Sequence, residues 1–286
     1  MRIALLANPG SGRGAAGEVA AILREAGAEV MEFEIGDWER AAEAGAERIA
    51  VAGGDGSIGC AGAAASRAAV PLAVIAVGTA NDFAAAEELP ANLGDACRLA
   101  ALGTELRSME LGRAGGRPFV NVASVGLSPI AAEEADTLKK KLGALAYPAG
   151  AAKAGATAKP VRCRVTGDGR ELYDGEAWQV SVACSGAFGG GASLEADPGD
   201  GLVDVVVIEG SSRARLVKYA YGLRIGTVED QKGVTHARCG FVDLVLHDDG
   251  CLNVDGELIE AEDLEAETDG AIRFEAKRAA FDLVVG

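Results

Sequence analysis

Five consecutive residues, Gly53-Gly54-Asp55-Gly56-Ser57, set three glycines around one carboxylate. They follow the apolar residues 49–52 and precede an Ala/Gly-rich helical pattern. Glycine permits positive φ and close approach of backbone to a ligand. Successive N–H groups in such a turn, with a helix N-terminus behind them, can hold phosphate oxygens. Asp55 adds a negative charge that phosphate alone would repel. It makes sense beside a metal ion, or beside a hydroxyl whose proton must leave. The pattern points to a nucleotide site with phosphoryl chemistry, and a plain strand–turn–helix corner is the alternative.

Two further loops carry related groups. Asn8-Pro9-Gly10-Ser11-Gly12 follows a strand and opens a helix, so its amides can serve a phosphate. It lacks the Gly-Lys-Ser/Thr ending of a Walker A loop and the glycine spacing of a dinucleotide fingerprint. Gly78-Thr79-Ala80-Asn81-Asp82 offers a hydroxyl, an amide and a carboxylate. Asn81 and Asp82 read equally well as helix N-caps. The only histidines are His236 and His247, and a surface position is expected for each. A Ser–His–Asp hydrolase and a zinc cluster are therefore disfavoured. Any general base is then a carboxylate, which suits phosphoryl transfer, where positioning and charge neutralisation dominate. Two acidic turns lie further on. Asp197-Pro198-Gly199-Asp200-Gly201-Leu202 has hard oxygen donors suited to Mg²⁺ or Ca²⁺, or is an ordinary turn. Asn253-Val254-Asp255-Gly256-Glu257 reads equally as a tight hairpin with exposed acids.

The elements that must position these groups alternate at first. Strands are expected at 2–7, 29–35, 48–52 and 72–76, and helices at 14–26, 37–44 and 57–68. Such alternation implies a parallel sheet with helices on both faces, whose ligands sit outside the carboxyl ends of the strands. All three special loops follow strand ends, so they are expected on one sheet edge. Beyond Val125 the pattern changes. Residues 128–158 read as helical, 211–223 as one helix, and strands are expected at 161–166, 177–183, 203–208, 241–246, 251–254 and 272–276. The expected organisation is a nucleotide-binding α/β domain over 1–125 and a mostly antiparallel β domain over 126–286. A last strand at 281–285 is free to join either.

Composition excludes some partners. With 43 acidic against 27 basic residues the formal net charge is −16. That argues against a broad nucleic-acid surface, and against global attraction to anionic membranes. The six cysteines form no C-x-x-C pair and read as reduced thiols of a cytoplasmic protein. The N-terminal apolar stretch is too short for a signal peptide, and the run at 70–77 is far below the roughly 18 residues of a membrane span. Residues 137–167 break the acidic pattern. They hold Lys139, Lys140, Lys141, Lys153, Lys159, Arg162 and Arg164 and no acid. This segment is either a transient contact with anionic head groups, at about 1 kcal/mol per basic residue, or a solvated face.

Taken together, these motifs resemble the diacylglycerol kinase catalytic-domain family of lipid kinases, which includes bacterial diacylglycerol kinases and sphingosine kinases. The resemblance rests on Asn8-Pro9-x-Ser11-Gly12, Gly53-Gly54-Asp55-Gly56-Ser57, Gly78-Thr79-x-Asn81-Asp82-Phe83, Asn121-Val122-Ala123-Ser124-Val125-Gly126 and Gly189-Gly190-Gly191. It extends to Asp200-Gly201-Leu202-Val203-Asp204 and Val254-Asp255-Gly256-Glu257.

It implies an α/β N-terminal domain with a parallel sheet, of NAD kinase and diacylglycerol kinase type, a C-terminal antiparallel β-sandwich, and an ATP site in the cleft. ATP is then expected at Asn8-Pro9-Gly10-Ser11-Gly12, at Gly53-Gly54-Asp55-Gly56-Ser57-Ile58-Gly59-Cys60, and at Thr79 and Asn81. Mg²⁺ is expected at Asp200 and the backbones of Asp197 and Leu202. Glu257 ranks first as proton acceptor; Asp55 either positions the phosphates and catalytic Mg²⁺ or is itself the base. The chain departs from the family pattern at Ser57 (usually Thr), at Cys184-Ser185 (usually Asn-Gly) and at Leu194 (usually Pro). Its second strand ends Glu34-Ile35-Gly36, without the usual nucleotide-contacting Thr.

The implied activity is transfer of the ATP γ-phosphate to a lipid hydroxyl, diacylglycerol by default; the expected location is the cytoplasm, with peripheral contact at the inner membrane face and a homodimer left open. One rival is an NAD kinase, which shares the Gly-Gly-Asp-Gly loop. Its following Asn-Glu pair is absent here, where Ser57 precedes Ile58-Gly59-Cys60. The other rival is a nucleotide-binding regulator without turnover.

Overall fold

The computed structural model describes residues 1–8, 13–78, 81–131, 155, 157–184, 187–188, 192–193, 199–213, 216, 231–248, 250–267 and 269–286. Pro9, Gly10, Ser11, Gly12, Thr79, Gly189, Gly190, Gly191, Asp197, all of residues 137–154 and most of residues 211–223 lie outside that set. The chain divides into two units. The first comprises Met1–Leu111, Pro118–Val120 and Lys277–Gly286; the second comprises Gly112–Arg117 and Asn121–Ala276.

The first unit alternates β1 (Arg2–Ala7), α1 (Arg13–Glu25), β2 (Glu29–Glu34), α2 (Trp38–Glu43), β3 (Arg48–Gly53), α3 (Asp55–Ala68) and β4 (Leu72–Ala76). Then come α4 (Asp82–Ala86) and α5 (Leu93–Leu102). The four strands lie parallel in the order β4-β3-β1-β2. β3 is buried at every position, as a central strand covered on both faces must be. Its alternate residues feed two cores. Ile49 and Val51 join Leu6 of β1 and Ile58 of α3, whereas Ala50 and Ala52 join Leu5, Val19, Leu23 and Cys97. The end of the chain completes this sheet, with Leu283 paired in parallel to Leu72. At the start of β3 the buried Arg48 donates to the carbonyls of Ala100 at 2.6 Å and Gly103 at 2.7 Å. It thereby covers the exposed carbonyls at the end of α5, where a cation is favoured. Burial pushes this guanidinium below its ordinary value.

The remaining strands are β5 (Leu106–Ala114), β6 (Arg117–Phe119), β7 (Val122–Gly126), β8 (Val161–Gly167), β9 (Arg170–Ala183), β10 (Ala187–Phe188) and β11 (Ala192–Ser193). They continue with β12 (Val203–Glu209), β13 (Val234–Cys239), β14 (Phe241–Leu246), β15 (Cys251–Val254), β16 (Glu257–Glu260) and β17 (Ile272–Val284). In the second unit the antiparallel order is β16-β15-β7-β9-β8-β14, continued by the first residues of β17. β12 pairs with β9 and β13. Several elements differ from the sequence expectation. β9 starts seven residues before 177, because Asp168 and Gly169 (φ 50° and 74°) close a two-residue hairpin that pairs Gly167 with Arg170. The strands expected at 272–276 and 281–285 are one continuous strand. α3 opens at Asp55, two residues earlier than expected, which puts that carboxylate in the first helical turn.

Candidate active site

The first unit brings the strand ends together as expected. Ala7 lies opposite Ala52 and Gly53 opposite Ala76, so Asn8, Gly54 and Val77 leave the sheet side by side. The Val77 N–H donates to the Gly53 carbonyl at 3.0 Å. Backbones of the second and third loops then touch. A Cβ on Gly78 would sit 2.5 Å from the Gly54 Cα, and one on Gly54 would sit 3.2 Å from the Gly78 Cα. Only glycine fits at position 78, and a Cβ at position 54 would be tight.

α3 opens directly behind it. Gly54 is the N-cap, in extended conformation, and among the described residues no side chain caps the helix. The first-turn amides of a helix have no intrahelical acceptor, so they form a ready anion site. The accessible part of this loop is residues 54–56. Ser57 to Cys60, also expected at ATP, are buried. Ser57 turns back onto Gly53, Ile58 is 1% exposed within the core, Gly59 lies against the Pro118 backbone, and Cys60 is buried. Their side chains serve packing, because the inner face of α3 is the face that meets the sheet.

Asp55 links the second and third loops. Its Oδ1 accepts the Phe83 N–H at 2.9 Å and its Oδ2 the Asp82 N–H at 3.2 Å. The cap of α4 is therefore supplied by Asp55, from another loop. The expectation that Asn81 or Asp82 caps this helix is replaced. Asn81 occupies the N-cap position at φ 56°, and this left-handed backbone turns its amide onto its own loop. Its Oδ1 accepts the Gly78 N–H at 3.0 Å and its Nδ2 donates to the Gly78 carbonyl at 3.1 Å.

In the second unit Glu257 opens β16 immediately after a two-residue turn. Asp255 and Gly256 (φ 48° and 92°) connect Val254 to its partner Glu257, and both positive φ values define a type I′ hairpin. The Asn253 Oδ1 accepts the Gly256 N–H at 2.8 Å. Asp255, only 8% exposed, accepts the N–H groups of Asn121 and Val122 through Oδ1, each at 2.9 Å. Val122 returns its carbonyl to the Asp255 N–H at 2.9 Å. The hairpin is thus fixed to the start of β7. Arg117 Nη2 donates to Glu257 Oε2, and the two side chains are 35% and 37% exposed. The sequence offered no signal for this arginine, which lies 140 residues away. Asp255 was visible as part of the motif, but its role was not.

Of the residues expected to hold Mg²⁺, Asp197 lies outside the described residues, and Asp200 and Leu202 lie within them. Asp200 Oδ1 accepts the Leu202 N–H at 2.9 Å, and Oδ2 is paired with Arg238. Among the described residues no three of His, Cys, Asp and Glu gather to hold a metal. His247 is exposed, as expected. His236 is half-buried, its side chain 25% exposed, and its Nε2 lies 2.9 Å from Oδ1 of the buried Asp204. All six cysteines are free thiols. Among the described residues no helix is long and apolar enough to cross a membrane.

These features define a class: an α/β unit with an anion-ready strand edge, combined with an antiparallel β unit that carries an Arg-held carboxylate on a tight hairpin. Comparison with known proteins agrees. Residues 2–114 match the diacylglycerol kinase catalytic domain, and residues 121–272 match the YegS C-terminal NAD kinase beta sandwich-like domain. A Pseudomonas putida protein named "Probable lipid kinase YegS-like" is 31% identical over 88% of this chain and 82% of its own length. The diacylglycerol kinase of Bacillus subtilis is 30% identical over 78% of this chain and 76% of its own. A crystal structure of a diacylglycerol kinase from Bacillus anthracis superposes with a TM-score of 0.74 at 20% identity, covering 100% of this chain and 97% of that one, which supports the fold. The chain belongs to the diacylglycerol kinase catalytic-domain family, among its YegS-like lipid kinases, and is a kinase by family.

Proposed function

We propose that this enzyme transfers the γ-phosphate of ATP, taken up as its Mg²⁺ complex, to the hydroxyl of a lipid, with diacylglycerol as the default acceptor. One observation carries the reading: the α3 N-terminus opens at residues 54–56 against the Gly78 loop, and Asp55 ties the two loops together. Backbone amides and a helix dipole at that edge suit polyphosphate oxygens. Asn8, at the end of the neighbouring strand, suits the same ligand. The acceptor oxygen attacks the γ-phosphorus, the bond from that phosphorus to the β-bridging oxygen breaks, and ADP leaves. Glu257 takes the acceptor hydroxyl proton. Positioning does most of the work in such a loose transition state, and the base adds about 10²–10⁴-fold. Asp55, with both oxygens engaged by amides, serves as organiser of the two loops.

Radiolabelled ATP offered with diacylglycerol, sphingosine and NAD in separate mixed-micelle or aqueous assays tests this. Label in diacylglycerol is the expected result. Label in NAD alone favours the NAD kinase rival, and ATP binding without transfer to any acceptor favours a regulator. Access to a lipid acceptor is assisted, in this reading, by the basic residues of 137–167 at an anionic surface. Reversing Lys139, Lys140 and Lys141 to Glu should then reduce sedimentation with anionic vesicles, and unchanged sedimentation removes that part.

A further inference from the structure

We propose that the Gly115-Gly116 turn is a positioning device for Glu257, seating Arg117 so that its guanidinium holds the carboxylate in orientation for proton transfer. This role rests on Glu257 as the proton acceptor in the kinase reading above. Every residue that carries it lies in the second unit. Ala114 ends β5, Arg117 opens β6, and the two strands pair. Gly115 and Gly116 between them have φ 48° and 80°, a two-residue hairpin turn with both residues left-handed. Such a turn accepts Asn or Asp at its first position, so the hairpin alone does not demand glycine there. The neighbours do. A Cβ on Gly115 would lie 2.7 Å from the Glu265 carbonyl oxygen and 2.8 Å from the Leu264 Cβ. Leu264 itself is buried. The Gly115 N–H donates to the Arg273 carbonyl at 2.8 Å, and the Gly115 carbonyl accepts the Glu265 N–H at 3.0 Å.

The turn is therefore seated on the chain that follows β16, closer than a side chain at position 115 allows. Glu257 opens β16, and Leu264 and Glu265 come just after its end at Glu260. One short stretch thus carries the base at its start and the seat of the base's partner at its end. Arg117 is the first residue out of the turn, so the seat fixes where its side chain is rooted. Its Nη2 then donates to Glu257 Oε2. The guanidinium donates from a planar fork, so this bond orients the carboxylate as well as attracting it. With Oε2 taken, the proton of the acceptor hydroxyl goes to Oε1. A base works only within hydrogen-bond reach of its proton, and small misplacements are costly in rate. Displacing the turn should therefore slow proton transfer and leave ATP affinity alone.

Gly115→Asn tests this, because Asn suits the turn and its Cβ does not suit the seat. With the acceptor that takes label in the assay above, the variant should lower kcat by up to about tenfold, the loss expected on removing Arg117, with the KM for ATP unchanged. Added to Arg117→Met or to Glu257→Gln, it should cost nothing further. A folded Gly115→Asn protein with wild-type kcat would overturn the proposal. So would a loss of equal size in either background, since the turn would then act elsewhere. Should Gly115→Asn fail to fold, Leu264→Ala loosens the same seat and is judged by the same three comparisons. Glu257→Gln as fast as wild type, or no transfer to any acceptor, ends the base reading and this role with it. Every other failure leaves Glu257→Gln slow and the kinase reading intact.

Discussion

Asp55 in the first unit and Glu257 in the second are both partly exposed acids at the start of an element, yet they are held differently. Both Asp55 oxygens receive backbone N–H groups, from Asp82 and Phe83, and those donors are fixed by α4. Glu257 is held by Arg117, a long side chain a third exposed to solvent. A carboxylate clamped by two amides keeps loops in place. A carboxylate held by a long, partly exposed side chain can exchange that partner for a substrate hydroxyl. The turn beneath Glu257 is itself rigid, because Asp255 ties it to β7. So the second unit combines a fixed backbone with an exchangeable side-chain partner, whereas the first fixes both.

Variants at four positions probe that contrast. Glu257→Gln should lower kcat by about 10²–10⁴-fold and leave the urea midpoint unchanged. A stability loss instead would make Glu257 a structural group and end the contrast. Asp255→Ala strips an acceptor from one buried and one part-buried N–H group, at about 1–3 kcal/mol for a fully buried one. Urea unfolding should show a loss on the order of 3 kcal/mol, accompanied by reduced turnover. Asp55→Ala removes the cap of α4 and should lower stability by about 1–2 kcal/mol while weakening ATP binding in calorimetric titration. Should it instead abolish turnover with stability intact, Asp55 becomes the base and the roles reverse. Arg117→Met should have the smallest effect, about tenfold in kcat, equivalent to ~1.4 kcal/mol of barrier. KM should stay constant, Arg117→Lys should restore most of the rate, and stability should change by about 0.5 kcal/mol, as for other exposed pairs.

Much of the first unit was legible because its signals are local. Apolar strands ending in glycines announce parallel strands with open carboxyl ends, and β1, β3 and β4 lie where that pattern puts them. The start of α3 was misplaced because Gly56 has poor helix propensity, although it lies in the first turn of the helix. β13 was not foreseen: Val234-Thr235-His236-Ala237-Arg238-Cys239 mixes charge with small residues, and pairing with β12 defines it. β17 was divided in two because Lys277 and Arg278 interrupt its apolar pattern, although the strand itself runs through.

By itself the amino-acid order determined the kind of chemistry, the three strand-end loops and the family, since glycine geometry, capping and apolar periodicity act over a few neighbouring residues. Only the folded chain decided what each acid does. Asp55 meets α4, Asp255 meets β7, Glu257 meets Arg117, and Asp200 meets Arg238. Each of these partners lies tens to more than a hundred residues away, and strand register, which no local pattern encodes, brings most of them within a hydrogen bond.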